Sequence, residues 1–235
     1  MATAARMDMT TVISTGLSIC TAMDTEALLT LTQWLSPGFP VGAFAYSHGL
    51  EQVIDRGELT SADALARWLE DILEHGSARS DIILLTAAYH AEPDELAGID
   101  DTARAFAASS ERLTETLDQG QAFARTVDAI WHTNIGPCTY PVAVGQAAAH
   151  QELPLASTAE VYVHAMMANL VSAAVRLVPL GQTEGQAVLA ALAPKIHATA
   201  QEALLESLDD LSSACFAMDV AAMQHETQYS KVFRT

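Results

Sequence analysis

Apolar side chains recur every third or fourth residue through most of this chain, and no stretch alternates apolar and polar residues between hairpin turns. That periodicity restricts the fold to helices, so the class is all-α and the economical architecture is a single multi-helix bundle. The clearest segment is ADALARWLEDILEHG, where Leu65, Trp68, Leu69, Ile72 and Leu73 form one apolar stripe behind a capping-box pair, Thr60 and Asp63. Asp24 is placed to cap a first helix ending at residue 35, and a second is expected from about residue 43 to 56. Further helices are expected over 81–90, 100–117, 119–133 and 141–151. The longest should start at Ser157, with Glu160 as its box partner, and run to residue 178. In it Val163, Met167, Leu170, Ala174 and Leu177 make a packing seam, while Asn169, Ser172 and Arg176 share another face. Thr183 and Gln186 are placed to cap a short helix, Pro194 to open another, and residues 209–223 to complete the bundle.

With 235 residues, half of them hydrophobic, the chain can bury one sizeable core without metal or disulfide staples. Cys20, Cys138 and Cys215 lie far apart with no CxxC pair, which argues against a structural zinc site or a secreted disulfide framework. A net charge of -18 repels phosphate backbones and disfavours nucleic-acid binding. No window has the roughly 18 apolar residues that span a bilayer, so no membrane association is expected and the cytoplasm is the expected compartment. Residues 1–23 read as a flexible N-terminal extension, 24–223 as the helical domain, and 224–235 as a C-terminal tail.

One segment breaks the helical pattern: SPGFPVGAFAYSHGLE, residues 36–51, places two prolines and three glycines among apolar side chains. Phe39, Val41, Phe44 and Tyr46 want burial while Pro37, Pro40 and Gly42 fix or free the backbone, so the stretch reads as an ordered, packed turn beginning at Ser36. It would set the angle between the first two helices and hold Tyr46, Ser47, His48 and Glu51, beyond Gly49, for neighbouring elements or partners.

The sequence supports neither a catalytic constellation nor a dedicated metal site. None of the eight histidines forms an HExxH or an i, i+4 His pair. Asp71 and His75 have helical spacing, read as a surface pair. No GxSxG elbow is present, and Ser47 and His48, adjacent on an expected helix, would point about 100° apart. LESLDDL reads as a solvated helix start, and PLGQTEGQ as a helix stop, a turn and a new N-cap. After Met223 the chain turns polar, in QHETQYSKVFRT, with Val232 and Phe233 left without a periodic face to bury them. With Tyr229, Lys231 and Arg234 they suit either a segment that folds onto a partner or a solvated end.

Four blocks together resemble the UreF family of urease accessory proteins: LLTLTQWLSPGFPVGAFAYSHGLEQVI, YPVAVGQAAA, AAVRLVPLGQTEGQAVL and MQHETQYSKVFRT, in family order. The resemblance implies a non-enzymatic, homodimeric maturation factor that binds UreD (also called UreH), recruits the GTPase UreG and docks on apo-urease. It implies no stably bound cofactor, the nickel being handled by the complex. It also implies that Gln224, His225, Glu226, Gln228, Tyr229, Ser230, Lys231, Val232, Phe233 and Arg234 bind the partner. Arg176, Gly181, Gln182 and Gln186 are further candidate interface residues. Where the family ends in Ser-Arg-Leu-Phe-Arg-Ser, this chain has Lys231 in place of the first Arg, a point charge instead of a bidentate fork. A GTPase-activating or GTPase-gating role toward UreG, through Arg176 or Arg234, is the alternative.

Overall fold

A computed structural model describes residues 24–234; the expected extension 1–23 lies outside the described residues. The elements in order are α1 (Thr25–Trp34), a 3₁₀ turn (Ala43–Ala45), α2 (Leu50–Asp55), α3 (Ala62–His75), α4 (Ser77–His90), α5 (Leu96–Ala105), α6 (Ser110–Trp131), α7 (Tyr140–His150), α8 (Leu155–Leu177), α9 (Gln182–Ala203), a second 3₁₀ turn (Leu208–Asp210) and α10 (Phe216–His225). No strand occurs among the described residues, and the fold is an all-α bundle.

At its centre lies α4, packed against α3, α5, α7, α8 and α9. Its run Ile82, Ile83, Leu84, Leu85 is buried on consecutive positions, as a helix surrounded on all sides requires. α7 approaches it closely because Gly145 has no side chain: a Cβ there would lie 2.3 Å from the Leu85 carbonyl oxygen. The expected stripe of α3 is buried except for the half-buried Trp68, and the α8 seam is buried from Val163 to Ala174.

Several boundaries differ from the sequence expectation. The helix expected over 43–56 is broken, because His48 (φ 54°) and Gly49 (φ 78°) adopt the left-handed region, and only residues from Leu50 onward are α-helical. Ser61, not Thr60, caps α3 by accepting a hydrogen bond from the Ala64 N–H at 3.2 Å. α4 starts at Ser77, so Asp81 lies inside a helix and not at its head. The break near residue 118 is instead at 106–109, where Ser109 accepts from the Arg112 N–H at 3.1 Å. α8 starts at Leu155 after Pro154, ahead of the expected Ser157.

The two helices expected around Pro194 are one. Pro194 sits on the exposed face of α9, while Val188, Leu189 and Leu192 before it and Ile196, Ala200 and Ala203 after it bury one continuous stripe. Packing on both sides of the proline outweighs the single backbone bond it removes.

Candidate functional site

The turn at residues 36–51 and the C-terminal tail, at opposite ends of the sequence, meet on one face. Phe39 and Val41 are buried and anchor the turn, Phe39 lying 5.5 Å from the Phe123 ring. Gly42, at φ 75°, starts the 3₁₀ turn, and Pro37, Pro40 and Phe44 stay exposed on its outside. Ser36 donates to the Gln33 carbonyl oxygen at 3.0 Å, closing α1. Gly49 touches α10 so tightly that a Cβ would lie 2.6 Å from the Ala222 nitrogen.

Glu51 is the centre of this meeting. Its Oε1 accepts from the Val232 N–H at 2.7 Å, and its Oε2 from the Phe233 N–H at 2.8 Å; His225 Nε2 lies 3.2 Å from the same Oε2. The other ring nitrogen of His225 lies 2.7 Å from Glu111 Oε2, and Lys231 Nζ donates to Glu111 Oε1 at 2.6 Å and to the Glu226 carbonyl oxygen at 3.1 Å. The Arg234 N–H donates to the Ala45 carbonyl oxygen at 2.7 Å. Phe233 is only 4% exposed, with the Arg176 guanidinium 5.1 Å from its ring centre. Phe233 therefore has the packing surface that periodicity did not reveal, whereas Val232 is 74% exposed.

Other tail residues divide between the two sides. Glu226 accepts from both the N–H and the hydroxyl of Ser110 at 2.8 Å, which holds its carboxyl below the usual value. Gln224 and His225 belong to α10, His225 being fully buried. Gln228 folds onto the Ser230 carbonyl oxygen at 3.0 Å, and Tyr229 and Ser230 face outward. Outward too are Phe216 (72% exposed), Val220 (47%) and Met223 (50%) of α10. Their i, i+4, i+7 spacing was the signal for this stripe, but the same spacing describes a core face, and α10 meets the core with Met218, Ala221 and Ala222 instead. Gly181 caps α9 by donating to Glu184 Oε2 at 2.8 Å; Gln182 and Gln186 are exposed on its first turns.

Beneath the turn lies a buried polar cluster. His48 Nε2 stands 2.7 Å from Glu115 Oε1 and 2.8 Å from Arg112 Nη1, Arg112 also pairs with Glu115, and Gln119 donates to Glu115 at 2.9 Å. Burial alone would raise the Glu115 carboxyl, but Arg112 and His48 beside it hold it down at about 2. His48 is lowered by burial and by Arg112. Ser47 Oγ accepts from the Glu51 N–H at 3.2 Å, and Tyr46 donates to Asp118 Oδ2 at 3.3 Å. Ser47 and His48 thus stand in a turn and serve different neighbours. Asp81, which accepts from the Tyr162 hydroxyl at 2.8 Å, is pushed up to about 6 by burial.

This cluster floors a cleft of about 630 Å³ between α1, the turn and α8, walled by Trp34, Phe39, Phe44, Met166 and Leu189. Burial pushes the Cys138 thiol up to about 12 and the Cys215 thiol to about 11, so both stay protonated. Among the described residues, no group of three or more His, Cys, Asp or Glu is arranged to hold a metal ion, and no helix is long and apolar enough to cross a membrane. His75 lies 3.9 Å from Glu74, not from Asp71, the partner its spacing suggested.

The family model described as UreF matches residues 59–193. A urease accessory protein UreF from Roseobacter denitrificans is 68% identical over 91% of this chain and 96% of its own length. A second from Ruegeria pomeroyi is 50% identical over 89% and 97%, and one from Rhodopseudomonas palustris is 42% identical over 91% and 95%. The four sequence blocks, the helical bundle and identity along nearly the full length of these relatives agree, and the chain belongs to the UreF family of urease accessory proteins.

Proposed function

We propose that the chain is a non-enzymatic maturation factor: a cytoplasmic homodimer that binds UreD (UreH), recruits the GTPase UreG and brings both to apo-urease, with nickel as the cargo of the complex. Family membership supports the general role, and the observation that carries the docking surface is the exposed apolar stripe Phe216, Val220 and Met223 of α10, with Tyr229 and Val232 of the tail exposed as well. Large apolar side chains gathered on one exposed face mark an interaction site, and aromatic anchors of this kind dominate binding energy. The test is co-purification of UreD and UreG with the full chain and with one ending at Met223, both checked by circular dichroism. Loss of both partners from a still-helical shortened chain makes the tail the docking segment; retention of both moves the interface onto the bundle, starting with the turn at Ser36 to Gly42, and a full chain that captures neither partner sinks the reading.

The GTPase-directed alternative is favoured by Arg234, whose side chain is largely exposed and which follows the Phe233 ring that Arg176 covers. Either guanidinium would have to reach the nucleotide of UreG. Single-turnover GTP hydrolysis by UreG, alone and in the assembly, separates the readings: acceleration that Arg234→Ala abolishes supports activation, and an unchanged rate leaves scaffolding or gating.

A further inference from the structure

We propose, resting on the homodimer reading above, that Asn169 of α8 is the positioning residue of the contact between copies: its amide holds the 3₁₀ turn in the shape that projects Phe44, and Phe44 of each copy enters the cleft of the other. Asn169 Nδ2 donates to the Ala43 carbonyl oxygen at 2.8 Å and to the Tyr46 carbonyl oxygen at 3.3 Å. Further along the same helix, Arg176 donates to the Phe44 carbonyl oxygen at 3.4 Å. With its backbone turned to α8, Phe44 keeps its side chain 65% exposed at the mouth of the cleft. The turn spans Ala43–Ala45, and its own bonds run from the Ala45 N–H to the Gly42 carbonyl oxygen at 3.1 Å and from the Tyr46 N–H to the Ala43 carbonyl oxygen at 3.2 Å. So short a segment has no cooperative stability of its own and depends on what holds it from outside. Both partners of Asn169 are acceptors, so its NH₂ group must face them, and a carboxylate of the same shape could not replace it.

A two-fold interface uses the same patch on both copies, so that patch must carry a projection and a recess together. Phe44 and the cleft of about 630 Å³ beside it supply both, the recess being walled by Trp34, Phe39, Met166 and Leu189. Charge selects a second copy as the occupant. Two chains of net charge -18 repel each other, and they can close only where acid is scarce. Of the residues that line the cleft, the exposed ones, Thr32, His164, Ser172, Arg176 and Gln186 among them, include no carboxylate. The two carboxylates of the lining, Asp81 and Glu115, lie at the floor, tied to Tyr162 and Arg112. A turn held in shape before the copies meet loses less conformational freedom when they bind, so Asn169 raises dimer affinity from inside the subunit without touching the partner.

Sedimentation equilibrium on the full-length chain tests this, with circular dichroism as the check of folding. Asn169→Asp keeps the shape but sets a carboxylate against two carbonyl oxygens, and Asn169→Ala removes the donor outright. Each should raise the dimer dissociation constant at least about tenfold with helix content unchanged, and Asn169→Ala carries the test if Asn169→Asp does not fold. Phe44→Ala should weaken the dimer as well. In the Phe44→Ala background Asn169→Ala should add less than about twofold, because a residue that acts by presenting Phe44 then has nothing left to present. Asn169 variants that dimerise like the wild type overturn the positioning role, and so does a loss that simply adds to that of Phe44→Ala. Normal dimerisation of Phe44→Ala overturns the seating of Phe44 in the cleft. A wild-type chain that stays monomeric overturns the homodimer reading itself, and the proposal with it.

Discussion

Asp81 and Glu115 share one buried cluster and titrate in opposite directions, because only one of them has a cation in direct contact. Glu115 is paired with Arg112 and His48 and held at about 2, so its contribution to stability is present above its usual value near 4.5 and is lost as pH falls through about 2. For Asp81 burial dominates, and the charge of Arg112 and the Tyr162 hydroxyl only partly offset it, leaving it raised to about 6 from 3.8. The sign is therefore reversed: the folded state favours the protonated acid, and its contribution, full below about pH 4, is lost as pH rises through about 6. Asn at this position stays neutral and its amide oxygen can still accept from Tyr162. Relative to the wild type, Asp81→Asn should gain up to about 3 kcal/mol in stability between pH 4 and 8, measured by urea unfolding at both values. A difference that does not vary with pH would mean that Asp81 is not held away from its ordinary value.

At the scale of elements, α10 joins the bundle by one face and leaves the other uncovered by the described chain. Met218, Ala221, Ala222 and His225 are buried, whereas Phe216, Val220 and Met223 are not. Val220→Asp should leave folding unchanged, within the about 0.5 kcal/mol typical of surface substitutions, yet abolish UreD capture by burying an unpaired charge at the contact. Normal capture would move the interface off this helix. The same helix shows what a sequence can and cannot disclose. The stripe of α3 and the seam of α8 were legible because a face repeating every three to four residues must be covered by something. What covers it is a tertiary fact: the spacing of Phe216, Val220 and Met223 reads as core, and Phe233, with no periodicity at all, is the residue that is buried. Helix ends were misplaced for a related reason. His48 in the left-handed region and the Ser61 cap are local choices that several neighbouring residues could have made. Pro194 misled because its cost to α9 is set by burial on the opposite face. The tail was recognisable as unusual, but its tie to Glu51 joins residues 181 and 182 positions apart, and no local pattern announces such a contact.

Over the whole molecule the dominant electrostatic fact is 29 acidic residues against 11 basic ones. Like charges spread over a compact surface repel, and folding concentrates them. Salt weakens that repulsion once the screening length, about 30 Å at 10 mM, contracts to about 8 Å near 150 mM. It also weakens exposed ion pairs such as those of Lys195 with Glu70 and Glu74, but such pairs contribute only about 0–1 kcal/mol each. The buried pairing of Arg112 with Glu115 is beyond the reach of mobile ions. Repulsion should therefore win, and the thermal midpoint should rise as sodium chloride is raised from about 10 to about 150 mM, followed by calorimetry at fixed pH. The half-buried tie of Lys231 to Glu111 is an attraction between unlike charges, so salt acts on it in the opposite sense. A midpoint that fell with salt would mean that the few surface pairs outweigh the net charge, and the excess of acid would then have to be balanced by cationic neighbours on this same surface.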